Sequence, residues 1–420
     1  MRAALAAIDP AHLVRTALAT DELTGALLKA ATVDVVAIGK GAAGMLSACG
    51  AVVSRHPLRH IVGVGASDPP SLLANARWHA SAHPVPDARS VAAARDVLDV
   101  ARRAGERDLL LLLLSGGASA MAALPAGDLA LEDKQAVSRR LLSLGGEIHE
   151  LNTVRKHLSA IKGGQLAAAN RGATVTLALS DVVGDDVSAI GSGPAVPDAT
   201  TYAEALDVLD RYGGRQTYPE SVVGHLMRGG AGRIAETPKP GDSRLARSTA
   251  RVIGGGTTAV AGARAAAASL GYQVHVVTRP VTGEARIAAP KLVREAPASS
   301  SLPLCIVAAG ETTVRTAGSG KGGRNQEFAL AMAPHLDSLG TVVVGTSMGT
   351  DGIYGPTDAA GAIVDTTTAA RAAAAGVAPL ERYLDEHNSY VFFDTLGDLI
   401  RTGPTGTNVG DLQVLLVGSR

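Results

Sequence analysis

Five times in this 420-residue chain a short aliphatic run breaks into a glycine-rich turn, and that recurrence restricts the fold more than any other feature. The segments read VVAIGKGAAG, LLLLLLSGGAS, ARVIGGGTT, CIVAAGET and VVVGTSMGTDG. Strands buried on both faces of a parallel sheet read as unbroken Val, Ile and Leu, and glycine at their carboxyl ends lets backbone N–H groups approach an anionic ligand. The pattern implies an α/β chain with a ligand crevice at its strand ends. Glycine, 49 residues in all, gathers at these turns and forms no low-complexity tract.

Between the runs the apolar spacing becomes helical. Helices are expected at 11–29, 42–54, 88–104, 131–144 and 147–169, and strands at 33–38, 60–66, 109–114 and 175–179. Residues 213–248 concentrate glycine, proline and charge with little periodicity, the composition of a linker or surface excursion. A domain boundary is expected there, with a first domain over 1–245 and a second over 246–420. Strands at 251–253, 272–278, 304–308 and 341–345 then alternate with helices at 258–270, 283–295 and 324–335. In the tail, YVFFD and DLQVLLV read as two strands around the TGPTGTN turn cluster.

Charge removes other classes. Lys plus Arg and Asp plus Glu both number 39, so no basic field exists to attract a nucleic acid backbone. The longest pure aliphatic run, Leu109 to Leu114, is far short of the roughly 20 residues a spanning helix needs, so no membrane role is expected. MRAALAAIDPAHL meets Asp9 and Pro10 before a signal-peptide apolar region can form, which makes the cytoplasm the expected compartment. Cys49 and Cys305 lie far apart without metal-ligand spacing and read as buried thiols.

Gly39, Gly41 and Gly44 match GxGxxG after a strand, so a dinucleotide site has to be weighed. The acidic residue such a site wants at the end of the second strand is represented only by Asp68, late and followed by two prolines. The turn instead carries Lys40, a cation suited to phosphate. AGSGKGG at 317–323 fails Walker A, with Arg315 at its first glycine position and Gly322 where Ser or Thr belongs. Its Lys321 and the following Arg324 can still embrace polyphosphate. Ser115 to Ala120 offers two hydroxyls and several amides to a carboxylate or phosphate, with simple helix capping as the alternative. In LNTVRKHLS, helical spacing brings Asn152, Arg155 and Ser159 near one polar face, which serves either substrate or solvent. Asp181, Asp185, Asp186, Asp351 and Asp358 follow strands as candidate carboxylates, and Asx-turn duty is preferred for Asp185, Asp186 and Asp358. No HExxH or GxSxG pattern supports zinc or serine-hydrolase chemistry.

Together the blocks AIGKGAAGM, HPVPD, SGGASA, LNTVRKHLSAIKGGQLA, SDVVGDD, GETTV with GKGGRNQEFALA, GTDGIYGPTDAAGAIVD and TGPTGTNVGDL resemble the class II glycerate 2-kinases with a C-terminal MOFRL domain. The resemblance covers nearly the whole chain. It implies two α/β domains, an N-terminal Rossmann-like three-layer α/β/α domain and a C-terminal MOFRL-type domain, with an interdomain cleft. It implies phosphorylation of D-glycerate at the 2-hydroxyl by ATP with Mg²⁺, with Lys40 and Arg324 as catalytic cations. Ser115, Gly116, Gly117, Ser119, Arg155 and Asp181 would bind substrate. Gly39, Gly41, Gly310, Glu311, Thr312, Lys321 and Asn325 would bind nucleotide, and Asp181 and Asp351 would hold the metal. Small molecules are the expected partners, and a homodimer is among the expectations. The chain departs from the family pattern at Tyr354, Ala118, Gly256 and Thr257. Because relatives also carry the hydroxypyruvate reductase label, an NAD(P)H-dependent reductase and a non-catalytic binder stay open as alternatives.

Overall fold

The computed structural model describes residues 1–420 except 54, 55, 70, 72, 298–301, 316–319, 340, 341, 354–356, 419 and 420, with only the backbone at 51–53. The chain divides into two compact units. One comprises 10–180 and 185–253; the other comprises 1–9, 181–184 and 254–420.

The first unit is built on six strands, β1 (Val33–Ile38), β2 (Leu58–Gly65), β3 (Ala76–Ala80), β4 (Leu109–Leu114), β5 (Ala173–Leu179) and β6 (Ser248–Gly254). Their order is β3-β2-β1-β4-β5-β6, the doubly wound order that binds ligands where the strand sequence reverses. β1 lies parallel to both β2 and β4. Every residue of β1 and all six leucines of β4 are buried, as a strand covered on both faces requires. In register, Ile38 faces Leu114, so the turns after β1 and β4 leave the sheet side by side. The core on one side joins Val35, Ala37, Leu111 and Leu113 to Met45 and Leu46 of helix Ala42–Val53. On helix Ala88–Arg103, Asp87 caps the N-terminus by accepting from Arg89 N–H at 2.9 Å, and Ala93, Val97 and Ala101 form its buried stripe. A separate apolar cluster under helices Leu131–Ser143, Ile148–His157, Tyr202–Arg211 and Glu220–Gly230 contains Val137, Leu151, Tyr202 and Leu226.

The second unit has seven strands: β7 (Gln273–Val276), β8 (Val281–Glu284), β9 (Leu304–Thr313), β10 (Val343–Gly349), β11 (Gly361–Asp365), β12 (Leu399–Ile400) and β13 (Asp411–Val417). The sheet runs β12-β11-β10-β13-β9-β7, with β8 also paired to β9. It is mixed: β13 is antiparallel to both β10 and β9, whereas β7 and β8 run parallel to β9. Helix Arg324–Met332 is buried at every position after Arg324, and Phe328 and Met332 join the main core there.

The structure corrects the sequence reading in several places. Residues 213–248 are no linker: Val222, His225 and Leu226 of helix Glu220–Gly230 are buried, and the segment leads into β6 of the first sheet. The helix expected over 147–169 ends at His157, after which Ser159 bridges to Pro125, and it resumes only at Gln165, beyond Gly163 and Gly164 with left-handed φ of +56° and +81°. YVFFD is helical, within Ser389–Leu396, and stops at Gly397 in the left-handed conformation. Its aromatic content suggested a strand, but adjacent Phe392 and Phe393 both reach the core, their rings 5.3 Å apart and edge to face. Both cysteines are free and buried.

Phe393→Ala is expected to cost about 3–5 kcal/mol by emptying this core. Urea denaturation measures it, and an unchanged midpoint would contradict the packing.

Candidate functional site

The turn after β1 is locked by its own amides. Gly39 N–H donates to Val64 O at 3.0 Å, Lys40 N–H to Gly116 O at 2.9 Å, and Gly41 N–H to Ser115 Oγ at 2.9 Å. Gly39 has φ +124°, and a Cβ there would lie 2.4 Å from Ser115 Oγ, so only glycine permits the two turns to meet. Gly39 and Gly41 were expected to offer amides to nucleotide phosphate, yet those amides are already committed. What the turn presents is the half-buried Lys40 side chain. Ser115 is likewise fully buried and serves the turn.

Beside the β4 turn lies a cavity of ≈ 300 Å³ whose lining includes His83, Gly117, Ser119, Lys134, Arg155 and Lys162. Lys134 projects from the buried stripe of helix Leu131–Ser143, in line with Val137 and Leu141, where apolar residues are the rule. Lys162 follows the break after His157; its Nζ donates to Ser119 O at 2.9 Å and Ser119 Oγ at 3.0 Å, with Ala122 O and Gly191 O at 3.4 Å. Ser119 Oγ also lies 2.9 Å from Ser192 Oγ. Among the described residues, Arg155 reaches only Ser138 Oγ, at 3.5 Å, and Lys134 only Leu124 O, at 3.4 Å. None of the three cations forms an ion pair among the described residues. Burial, helped by the charge of Arg155, pulls the Lys134 ammonium down to about 7. Burial first, then Lys134 and Arg155, holds Lys162 well below its ordinary value, and burial lowers Arg155.

The other residues of the polar helix face are structural. Asn152 accepts from Ser192 Oγ at 2.9 Å, Ser159 donates to Leu124 O at 3.2 Å, and Lys156 pairs with buried Asp198 at 3.2 Å. Lys134 and Lys162 were not singled out by motif. The available signal for Lys134 was its helical phase, three and seven residues before Val137 and Leu141.

In the second unit Arg324 opens its buried helix and is anchored by Asp411. Its Nε donates to Asp411 Oδ2 at 2.8 Å, and its Nη1 pairs with Glu311 at 3.0 Å. Asp411 begins β13 with Gly310 opposite it on β9 and Gly349 opposite it on β10, so no neighbouring side chain crowds the carboxylate in either pairing. It also accepts from Asn325 Nδ2 at 2.7 Å and Thr312 N–H at 3.1 Å. Asn325 is buried and its Oδ1 accepts from Ser347 Oγ at 2.6 Å, so both ends of the amide are used internally. Gly310 and Thr312 are interior residues of β9, where Gly310 packs on Val281. Glu311 is pushed up to about 7 by burial, opposed by Arg324 and reinforced by Asp181 and Asp411. Lys321 is exposed, with Nζ 4.0 Å from the Tyr390 ring centroid.

Asp181 and Asp351, the expected metal ligands, are half-buried members of this unit. Asp181 accepts from Asn408 Nδ2 at 2.8 Å. A Cβ on Gly349 would lie 3.2 Å from Asp351 Oδ1 and 3.3 Å from Asn325 Nδ2, which places Asp351 beside the Arg324 cluster. Among the described residues no group of three or more His, Cys, Asp or Glu is arranged to hold a metal. Asp186 makes the expected Asx turn, accepting from Ser188 N–H at 2.8 Å, whereas Asp358 instead pairs with Arg401 at 3.1 Å. Tyr354 lies outside the described residues, and no described helix is long and apolar enough to cross a membrane.

Asp411→Ala removes the fully buried counter-charge of Arg324, leaving it the more exposed Glu311, and strands the Asn325 and Thr312 donors, and is expected to cost about 3–5 kcal/mol. Chemical denaturation of the two proteins checks this; a loss under 1 kcal/mol (roughly the size of an exposed pair) would show that the anchor is dispensable.

Residues 1–227 match the model described as a domain of unknown function, DUF4147, and residues 304–411 match the MOFRL family. The glycerate 2-kinase of Pyrococcus horikoshii is 39% identical over 345 residues, covering 80% of this chain and 77% of that one. The D-glycerate 2-kinase of Thermotoga maritima is 38% identical over 392 residues, covering 92% and 90%. The crystal structure of the glycerate kinase from Thermotoga maritima is similar with a TM-score of 0.84 at 36% identity, covering 99% of this chain and 97% of that one. A family model that spans more than half of the chain, with relatives of this identity along most of its length, shows that the chain belongs to the class II glycerate kinase family.

Proposed function

We propose that this protein transfers the γ-phosphoryl group of ATP to the 2-hydroxyl of D-glycerate, releasing 2-phospho-D-glycerate and ADP. One observation carries the reading. Lys40 leaves the sheet where the strand order reverses, beside a pocket lined by Lys134, Arg155 and Lys162, which form no ion pair among the described residues, in a chain that a D-glycerate 2-kinase matches over 92% of its length.

Phosphoryl transfer asks the protein for positioning and for charge placed against the equatorial oxygens of the moving group. Lys40 supplies a point charge from a turn whose backbone cannot shift without breaking three hydrogen bonds. Arg324 supplies a planar fork, already oriented by Asp411, with its second face toward Glu311. Glu311 and Lys321 keep polar atoms at the surface for the nucleotide, while Gly39, Gly41, Gly310, Thr312 and Asn325 shape the backbone around it. Gly116, Gly117, Ser119 and Arg155 serve the acceptor, and Ser115, expected to bind it directly, holds the Lys40 turn instead.

Mg²⁺ takes one or two carboxylates and keeps water and phosphate oxygens, so Asp181 and Asp351 fit a metal that arrives with the nucleotide. The bound ion would neutralise charge on the triphosphate. Asp181 is also placed in the proposal as acceptor of the 2-hydroxyl proton.

A nicotinamide-dependent reductase would need the glycine turn's amides for a pyrophosphate. Their engagement with Val64, Ser115 and Gly116 speaks against it.

Lys40→Ala and Arg324→Lys are each expected to lower glycerate-dependent ADP release by about 100-fold or more. Phosphorus NMR of the wild-type product should show 2-phosphoglycerate. The 3-isomer, NAD(P)H consumption with hydroxypyruvate, or binding without turnover would each overturn the proposal.

A further inference from the structure

The pocket beside the β4 turn holds more positive charge than its own fold can use. Lys134 is 8% exposed and Lys162 3% exposed, and placing ammonium groups at such depth without a carboxylate is unfavourable. Lys162 has a structural role, because four neutral oxygens surround its Nζ. Lys134 and Arg155 do not: each has a single long contact with a neutral oxygen. A structural staple would bring its charge close to an opposite one, as Lys156 does with Asp198 in the next helical position. Here the ionisable lining consists of His83, Lys134, Arg139, Arg155 and Lys162, with no acid among the described residues. At ≈ 300 Å³ the cavity is at the lower end of what drug-sized ligands occupy, too small to favour a whole nucleoside triphosphate and ample for a three-carbon acid.

We propose that this pocket receives the carboxylate end of the acceptor, and that Lys134 together with Arg155 selects hydroxy acids over neutral polyols. The inference rests on the glycerate reading, in which Arg155, Gly117 and Ser119 already serve the acceptor, and adds to it Lys134 as the second cation that selects the acid. Gly117, which lines the pocket, follows Gly116, whose carbonyl accepts the Lys40 N–H, so the pocket adjoins the turn that carries Lys40. A bound carboxylate favours the charged form of Lys134. Below about pH 7 that ammonium is already protonated in the free protein; above it, binding must take up a proton and affinity falls. Arg155, facing it from helix Ile148–His157, reinforces this by disfavouring the proton in the empty pocket; His83, Arg139, Lys162 and His225 are the other ionisable groups around it.

The test uses Lys134→Met and Arg155→Met in the full-length protein. Methionine retains an apolar stem, and thermal denaturation establishes that each variant is folded. D-glycerate binding is measured by titration calorimetry without nucleotide, at pH 6 and pH 8, alongside steady-state KM values. The expected result is a rise of at least tenfold in the Kd and KM for D-glycerate in each variant, with the KM for ATP changed less than twofold. Wild type should bind more weakly at pH 8, and Lys134→Met should lose that difference. A raised KM for ATP with unchanged glycerate affinity would assign the pocket to a phosphate and overturn the proposal, as would normal glycerate binding in both folded variants. If wild type binds D-glycerate with these residues but does not turn over, the kinase reading fails and the recognition site stands. If wild type does not bind D-glycerate, the site fails. Should Lys134→Met not fold, Lys134→Gln supplies the same comparison.

Discussion

The level ending of β1 and β4 is the constraint on which the first unit depends. Neighbouring parallel strands whose last residues are paired, Ile38 with Leu114, release their turns at the same height. The sheet then cannot close over its own edge there. Ser115 and Gly116 use this proximity to tie down the amides of the Lys40 turn. The hydrogen bonds that a loose glycine loop would offer to a ligand are exchanged for rigidity, and the chemistry is left to side chains. Fixing a lysine backbone in this way removes part of the ordering cost that phosphate binding would otherwise carry.

Arg324 in the second unit follows the same principle with charge rather than backbone. Asp411 is fully buried, yet each of its oxygens has donors, so the desolvation of the carboxylate is offset by the guanidinium, an amide side chain and a backbone N–H. Glu311 takes the outer side of the fork in a setting that weakens its own ionisation. An arginine held between a strongly bonded carboxylate and an easily neutralised one is oriented by the first and exchangeable at the second.

The sequence disclosed the parallel sheet well because fully buried strands carry a contiguous aliphatic signal, as in Leu109–Leu114. It disclosed the mixed sheet less well. β8 and β11 are short and carry glycine and charge, and β12 is only two residues long, so their pairing is decided by neighbours elsewhere in the chain. The helix Ser389–Leu396 was hidden because aromatic residues favour strands on average while tertiary packing set the outcome. At the site, Lys40 and Arg324 stood out because glycine turns frame them. Lys134 was hidden because a lysine in an amphipathic helix is ordinarily assigned to solvent, and only its phase relative to Val137 and Leu141 shows otherwise.

The burial of helix Arg324–Met332 has an implication for how such chains are recognised. Of the four polar residues in Arg324-Asn325-Gln326-Glu327, three are consumed inside the protein: Asn325 by Asp411 and Ser347, Gln326 by Thr357, and Glu327 by Arg286 and His387. A motif of this kind is therefore chiefly a signature of the scaffold. A descendant that lost transferase activity would still be obliged to retain it, so its presence marks membership of the family and not turnover.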